Sequence, residues 1–209
     1  MKRWLRTQAI LLVVLLGLAT GVFFLVRGRG VDTRGEPSWV EARMALFLRS
    51  WLTPDEFKRR LNPVTLSPGI LVSAREHFAD HCATCHANDG GGNTEMGRKL
   101  YPRAPDMRLP RTQRLTDGEL FYFIEHGIRL TGMPGWSNGT PEGETASWHL
   151  VHFIRHLPKL TPEELQEMEA LNPVSKHDLE EEQKADDFLN GDTPPPAEAD
   201  VHSAHRGKP

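Results

Sequence analysis

The apolar positions of this chain either run unbroken or recur at helical spacing, and nowhere do they alternate over a useful length. The first group is "TQAILLVVLLGLATGVFFLV", Thr7 to Val26, twenty residues without a charge. As a helix, at 1.5 Å per residue, it spans about 30 Å, the hydrocarbon thickness of a bilayer. A cleaved export signal has a shorter apolar core, of about 7–15 residues, and ends in small residues. "LATG" matches that poorly, so the run is expected to remain as a membrane anchor. A short linker rich in Gly, Arg and Asp follows, from Arg27 to Pro37. In "SWVEARMALFLRSWL", Val40, Met44, Phe47, Leu48 and Trp51 return on one helical face. Such a stripe suits a membrane surface, a partner, or packing on the domain that follows.

Helix boundaries are written in the polar residues. "TPDEFKRRL" reads as a helix start, with Thr53 as cap, Pro54 at the first position and Glu56 reaching back. Ile70, Ala74, Phe78 and Cys82 stand at four-residue intervals on one face of a further helix. Thr116 with Glu119, and Thr161 with Glu164, form capping boxes; the first of these helices closes on Gly127. "ETASWHLVHFIRHLP" is a helix with Ala146, Leu150, Phe153, Ile154 and Leu157 on its buried face, stopped by Pro158. "DGGGN", "LYPRAPDMRLPRTQR" and "TGMPGWSNGTPEG" read as a tight turn and two loops. The fold class is therefore all-α. The expected organisation is an anchor at 1–26, a linker with amphipathic helices at 27–66, and a helical domain at 67–160. An acidic helical extension at 161–190 and a disordered tail at 191–209 complete it.

Charge changes the picture at one boundary. The first 160 residues carry a net +6 and the last 49 a net −9, which together give the formal −3. Between Glu95 and Arg114, six cations (Arg98, Lys99, Arg103, Arg108, Arg111, Arg114) face two acids, a net of +4. That run is either a solvated loop or a docking surface for an acidic partner. No nucleic-acid partner is expected.

Candidate chemistry is concentrated in "FADHCATCHANDGGGN", which holds both cysteines of the chain, Cys82 and Cys85, with His86 directly after. A redox dithiol would want a βαβ setting and a low thiol pKa. A structural zinc site would need two further ligands. C-x-x-C-H needs nothing more, since it is the spacing for covalent haem attachment: two thioethers to the vinyl groups, and an imidazole reaching the iron from the same turn. The sixth iron position then decides between electron transfer and ligand binding. Of six methionines, Met133 in "GIRLTGMPGW" is the candidate, held in a loop by Gly132 and Pro134 where there is little core to fill. His149, His152 and His156 fall on one helical stripe and read as a solvated face, while His202 and His205 sit in the flexible tail, where no metal site is expected.

"HCATCHANDGGGN", "LYPRAPDM", "LTDGELFYFIEHGIRLTGMPGW" and "WHLVHFIRHLP" resemble, in order and spacing, the class I c-type cytochromes of bacteria, most of all the membrane-anchored monohaem kind. The resemblance covers about Val72 to Leu160. It implies a compact fold of three to five helices around one haem c, and electron transfer without bond chemistry through an exposed haem edge. It implies that a proline carbonyl accepts from the ring N–H of His86, with Pro105 the best match and Pro102 the alternative. Trp136 joins the cofactor-binding residues, and Arg98 and Arg103, with Tyr101, would balance the haem propionates. Covalent haem attachment in bacteria takes place outside the cytoplasmic membrane, which puts the domain on the periplasmic or outer face. The expected partners are a membrane-bound electron donor and an oxidase or reductase acceptor. Two rivals stand beside this reading: a haem subunit built into such a complex, and a peroxidase or gas sensor in which Met133 is displaceable.

Overall fold

The computed structural model describes residues 2–30, 32–173, 183–187 and 189–190. Among them there is no strand. α1, Lys2–Arg29, is one continuous helix that holds the apolar run and continues three residues beyond it. Its stretch Arg3–Phe24 is long and apolar enough to cross a membrane, and none of it is buried against the rest of the chain.

α2, Trp39–Leu52, opens on Ser38, whose hydroxyl accepts from the Glu41 N–H. It ends on Thr53, whose hydroxyl donates to the Arg49 carbonyl at 2.7 Å. Thr53 thus closes α2 and does not open the next helix: α3, Asp55–Lys58, starts after Pro54 with no side-chain cap. The reason is local: the Thr53 N–H also donates to the Arg49 carbonyl, at 3.1 Å, so backbone and hydroxyl together fold this residue onto the end of α2.

The helix leading into the cysteine motif starts at Ser67 and Pro68 as α4, Pro68–His77. It widens into one π turn, Phe78–Cys82, where the Ala83 N–H donates to the Phe78 carbonyl five residues back. It then resumes as α5, Ala83–His86. α6, Glu95–Lys99, and α7, Pro110–Gln113, are single turns set in the loop that follows. α8, Asp117–His126, has the expected Thr116/Glu119 capping box and stops at Gly127. α9, Pro141–His156, begins three residues ahead of the expected Glu144, because Thr140 accepts from the Gly143 N–H and Pro141 occupies the first turn. A 3-10 turn, Leu157–Lys159, leads to α10, Pro162–Glu169, with its Thr161/Glu164 box.

α9 is the centre of the core. Phe78 leans on Phe153 with ring centroids 5.0 Å apart, and Phe121 of α8 stacks on Trp148 at 4.0 Å. Met168 of α10 is fully buried in the same cluster, so the packed body runs past Leu160 into the acidic extension. Polar contacts on α9 pin the loops. Arg155 donates to Asp117 at 2.8 Å and to the carbonyls of Gln113 at 2.7 Å and Leu115 at 2.5 Å. The histidine row is not a merely solvated face: His152 Nε2 lies 2.8 Å from the Val64 carbonyl and His156 Nε2 lies 3.0 Å from Glu164. Residues 183–187 are helical. Residues 174–182 and 188 of the expected extension, and the tail from 191, lie outside the described residues.

Candidate functional site

Cys82 closes the π turn and Cys85 lies one turn on, so both sulfurs leave the same side of one helical segment. Both are free thiols and both are half-buried. Burial pushes the Cys82 thiol up to about 12, and it raises Cys85 as well. A redox dithiol needs the opposite shift, so burial weighs against that reading. Among the described residues, no three His, Cys, Asp or Glu side chains are grouped to hold a metal ion.

His86 is the last residue of α5, and its Nδ1 is buried without a hydrogen bond of ordinary geometry. Burial pushes its pKa down, and the backbone carbonyl of Pro105 opposes that shift. The carbonyl is close enough to act on the ring, although the approach falls short of a good hydrogen bond. Pro105, and not Pro102, is the proline the imidazole meets.

The loop after the motif explains how Pro105 arrives. The Gly92 N–H donates to the His86 carbonyl at 2.7 Å, and the Thr94 hydroxyl donates to the Cys85 carbonyl at 3.2 Å. Gly92 has φ +73°, and a Cβ there would strike the Ala104 carbonyl oxygen. The Met107 N–H donates to the Gly90 carbonyl at 2.8 Å, and the Ala104 N–H to the Gly97 carbonyl at 3.0 Å. The glycines therefore serve the close approach of residues 104–107 to the motif. Asp89, which sequence reasoning passed over, braces this loop by accepting from the Gly91 N–H at 2.8 Å and pairing with Arg108 at 2.6 Å. An Asp two residues before a glycine was the signal available.

Met133 sits half-buried in a loop folded back on the end of α8. The Ile128 N–H donates to the Met133 carbonyl at 3.1 Å, the Met133 N–H donates to Thr131 Oγ1 at 3.1 Å, and the Trp136 N–H donates to the Ile124 carbonyl at 2.9 Å. Gly132 lies so near Leu100 that a Cβ would come within 2.5 Å of its Cδ2. The Trp136 ring meets His81 edge-on at 5.6 Å, one residue before Cys82. Loop and motif are thus tied together through Trp136, and loop and α6 region through Leu100. Of the other described methionines, Met107 and Met168 are core residues while Met44 and Met96 are exposed.

The expected propionate partners are engaged elsewhere. Arg98 donates to Asn93 Oδ1 at 2.9 Å, the Tyr101 hydroxyl donates to Glu41 at 2.5 Å, and Arg103 pairs with Glu36 at 3.4 Å. Two of the three therefore face the segment that begins α2.

The donor set fits a covalent haem: two thiols on one turn, an imidazole with an orphaned buried nitrogen, and a thioether in a braced loop. Residues 71–154 match the family model described as cytochrome c oxidase, cbb3-type, subunit III. No curated protein matches the chain. The matched stretch runs from inside α4 to inside α9, enclosing the motif, the Pro105 loop and the Met133 loop. Behind its N-terminal apolar helix, the chain carries a cytochrome c domain whose residues 71–154 are similar to the cbb3 subunit III family.

Proposed function

We propose that this domain binds one haem c through thioethers at Cys82 and Cys85, with His86 and Met133 as axial ligands. It passes single electrons between respiratory partners at the outer face of a membrane that α1 spans. The observation that carries the reading is the His86 ring, delivered by the C-x-x-C-H turn, with its Nδ1 buried without a partner and the Pro105 carbonyl close enough to act on the ring. When bound, haem supplies reversible one-electron exchange at iron. The chain's own part is positional. With the haem bound, the Pro105 carbonyl would orient the imidazole and raise its basicity by accepting from the ring N–H. Thr131 and Gly127 hold the loop that presents Met133.

The family description favours a terminal oxidase as the acceptor. Built-in subunit and separate carrier share this chemistry and part on purification in mild detergent through a C-terminal tag. Ligation is tested in the oxidised protein, which should show the weak red sulfur-to-iron charge-transfer band of a low-spin His/Met haem. Met133→Ala should lose it. A band that persists in the variant would assign the ligand to another methionine, and ready carbon monoxide binding by the reduced wild type would favour a displaceable sixth ligand.

A further inference from the structure

α2 presents two faces of opposite character. Ala42, Leu46 and Arg49 are half-buried on the side towards the domain, and Thr53, buried, continues that side past the helix end. The Arg49 guanidinium secures that side, over the Phe123 ring at 5.2 Å, and Glu41 on the flank of the helix accepts from Tyr101. At about 100° per residue, Val40, Met44, Phe47, Leu48 and Trp51 centre roughly 170° away, so the apolar stripe points directly outward. Phe47 is 63% and Trp51 68% exposed, and α2 itself has no buried residue at all. Packing on the domain, one of the expectations for this stripe, is thereby excluded. Five large apolar side chains on one exposed face call for an occupant.

We propose that the occupant is the lipid surface: α2 lies in the membrane–water interface with this stripe in the headgroup–acyl boundary, and so sets how the domain sits on the bilayer. The proposal rests on the reading of α1 as a retained anchor. Trp39, at the start of α2, comes ten residues after Arg29 at the end of α1. Fully extended, that stretch reaches about 35 Å, so α2 stays near the surface that α1 crosses. The composition matches an interfacial helix, with Trp39, Phe47 and Trp51 among the apolar residues and a cation beside them. Arg43 lies 5.9 Å from the Trp39 ring centroid, at the edge of the stripe. The sequence places Arg27 and Arg29 at the same end of the anchor, which adds attraction to anionic headgroups.

The test uses full-length holoprotein with residues 31–35 replaced by a protease site. It is placed in vesicles of phosphatidylcholine and phosphatidylglycerol, cut, and separated by flotation, with haem absorbance read in each fraction. The freed fragment should stay with the vesicles, more firmly as phosphatidylglycerol increases. With Phe47→Ser and Trp51→Ser together, vesicle-bound haem should fall about tenfold or more while the haem spectrum is unchanged. A fragment that incorporates before cutting and floats free afterwards overturns the proposal and leaves the anchor intact. Failure of the uncut protein to incorporate, or a mature N-terminus near Thr20 or Gly21, overturns the anchor and the proposal with it. Release from pure lipid with retention on native membranes assigns the stripe to a protein partner, and release as a dimer assigns it to a second copy. Either result overturns the lipid assignment.

Discussion

Gly91 and Gly92 are neighbours, yet their surroundings make opposite demands. Gly92 holds φ +73° and faces the rigid carbonyl of Ala104, whereas a Cβ on Gly91 would meet the ends of the Arg108 and Asp89 side chains at 2.9 Å. Mobile side-chain ends give way and a backbone carbonyl does not. Gly92→Ala is expected to cost about 2 kcal/mol or more, and Gly91→Ala about 1 kcal/mol or less, in chemical denaturation of the holoprotein. The same contact has a functional side. Gly92 and residues 104–105 hold the Pro105 carbonyl at His86, and on the proposed ligation that carbonyl would raise ligand basicity. A weaker imidazole donor stabilises oxidised iron less, so Gly92→Ala should also raise the midpoint potential, read by redox titration. Equal costs for the two variants would remove the backbone clamp from the account.

At the scale of elements, α10 shows most clearly where sequence reasoning stops. Its capping box was legible, because Thr161 and Glu164 are three residues apart and need no tertiary context. Its burial was not, because Met168 stands in a strongly acidic stretch. What docks it is Arg75, from a helix about ninety residues earlier, pairing with Glu164 at 3.6 Å and with Glu167. Met168→Ala should therefore destabilise the domain by about 2–5 kcal/mol in a denaturant melt, as for a buried methionine and not a solvated one. The docking also carries a pH signature. Burial raises the Glu164 pKa, but the Thr161 N–H, His156 and Arg75 together outweigh it, and the net shift is downward from 4.5. The unfolded chain then takes up this proton first, so the contribution is complete above pH 4.5 and is lost as pH falls through the folded value. His77 acts in a higher window. Burial, with His81 and His149 against Asp80, depresses it from 6.5, so its contribution begins to be lost once pH drops below 6.5. Melting temperature against pH should show both limbs, the lower one flattened in Glu164→Gln and the upper one in His77→Asn. Other elements divide the same way. The C-x-x-C-H turn is local and was fully legible, while the Thr53 error arose because T-P-D-E fits a helix start as well as the end it actually makes. The α2 stripe was legible as a stripe. Periodicity says which residues share a face, and only tertiary placement says what the face looks at.

For the whole molecule, charge and core lead to different expectations about what holds the parts together. Arg103 and Arg108 of the basic run are already paired with Glu36 and with Asp89 and Asp106. Attachment to the membrane is thus expected to rest on α1 and not on surface charge, and full-length protein should stay in the membrane fraction through a high-salt wash, with Met1 still present by mass spectrometry. The core is asymmetric. Buried apolar residues cluster where α4, α8, α9 and α10 meet, while Cys82, Cys85, Leu100 and Met133 are only half-buried and Leu130 and Trp136 are exposed. A domain of this size is marginal when its whole core is well packed. On the proposed ligation, this half-buried side would be completed by a haem held between the motif turn and the Met133 loop. A porphyrin there would cover that side and fix, through two covalent bonds, a loop region otherwise held mainly by backbone contacts. The variant with Cys82→Ala and Cys85→Ala is therefore expected to lose cooperative folding, even though both substitutions are small and preserve helix propensity. Circular dichroism should show residual helix that melts over a broad range, with rapid proteolysis between residues 87 and 140. A soluble apoprotein with a single sharp melt would mean that the α9 core suffices, and that the cofactor is a passenger in an already stable fold.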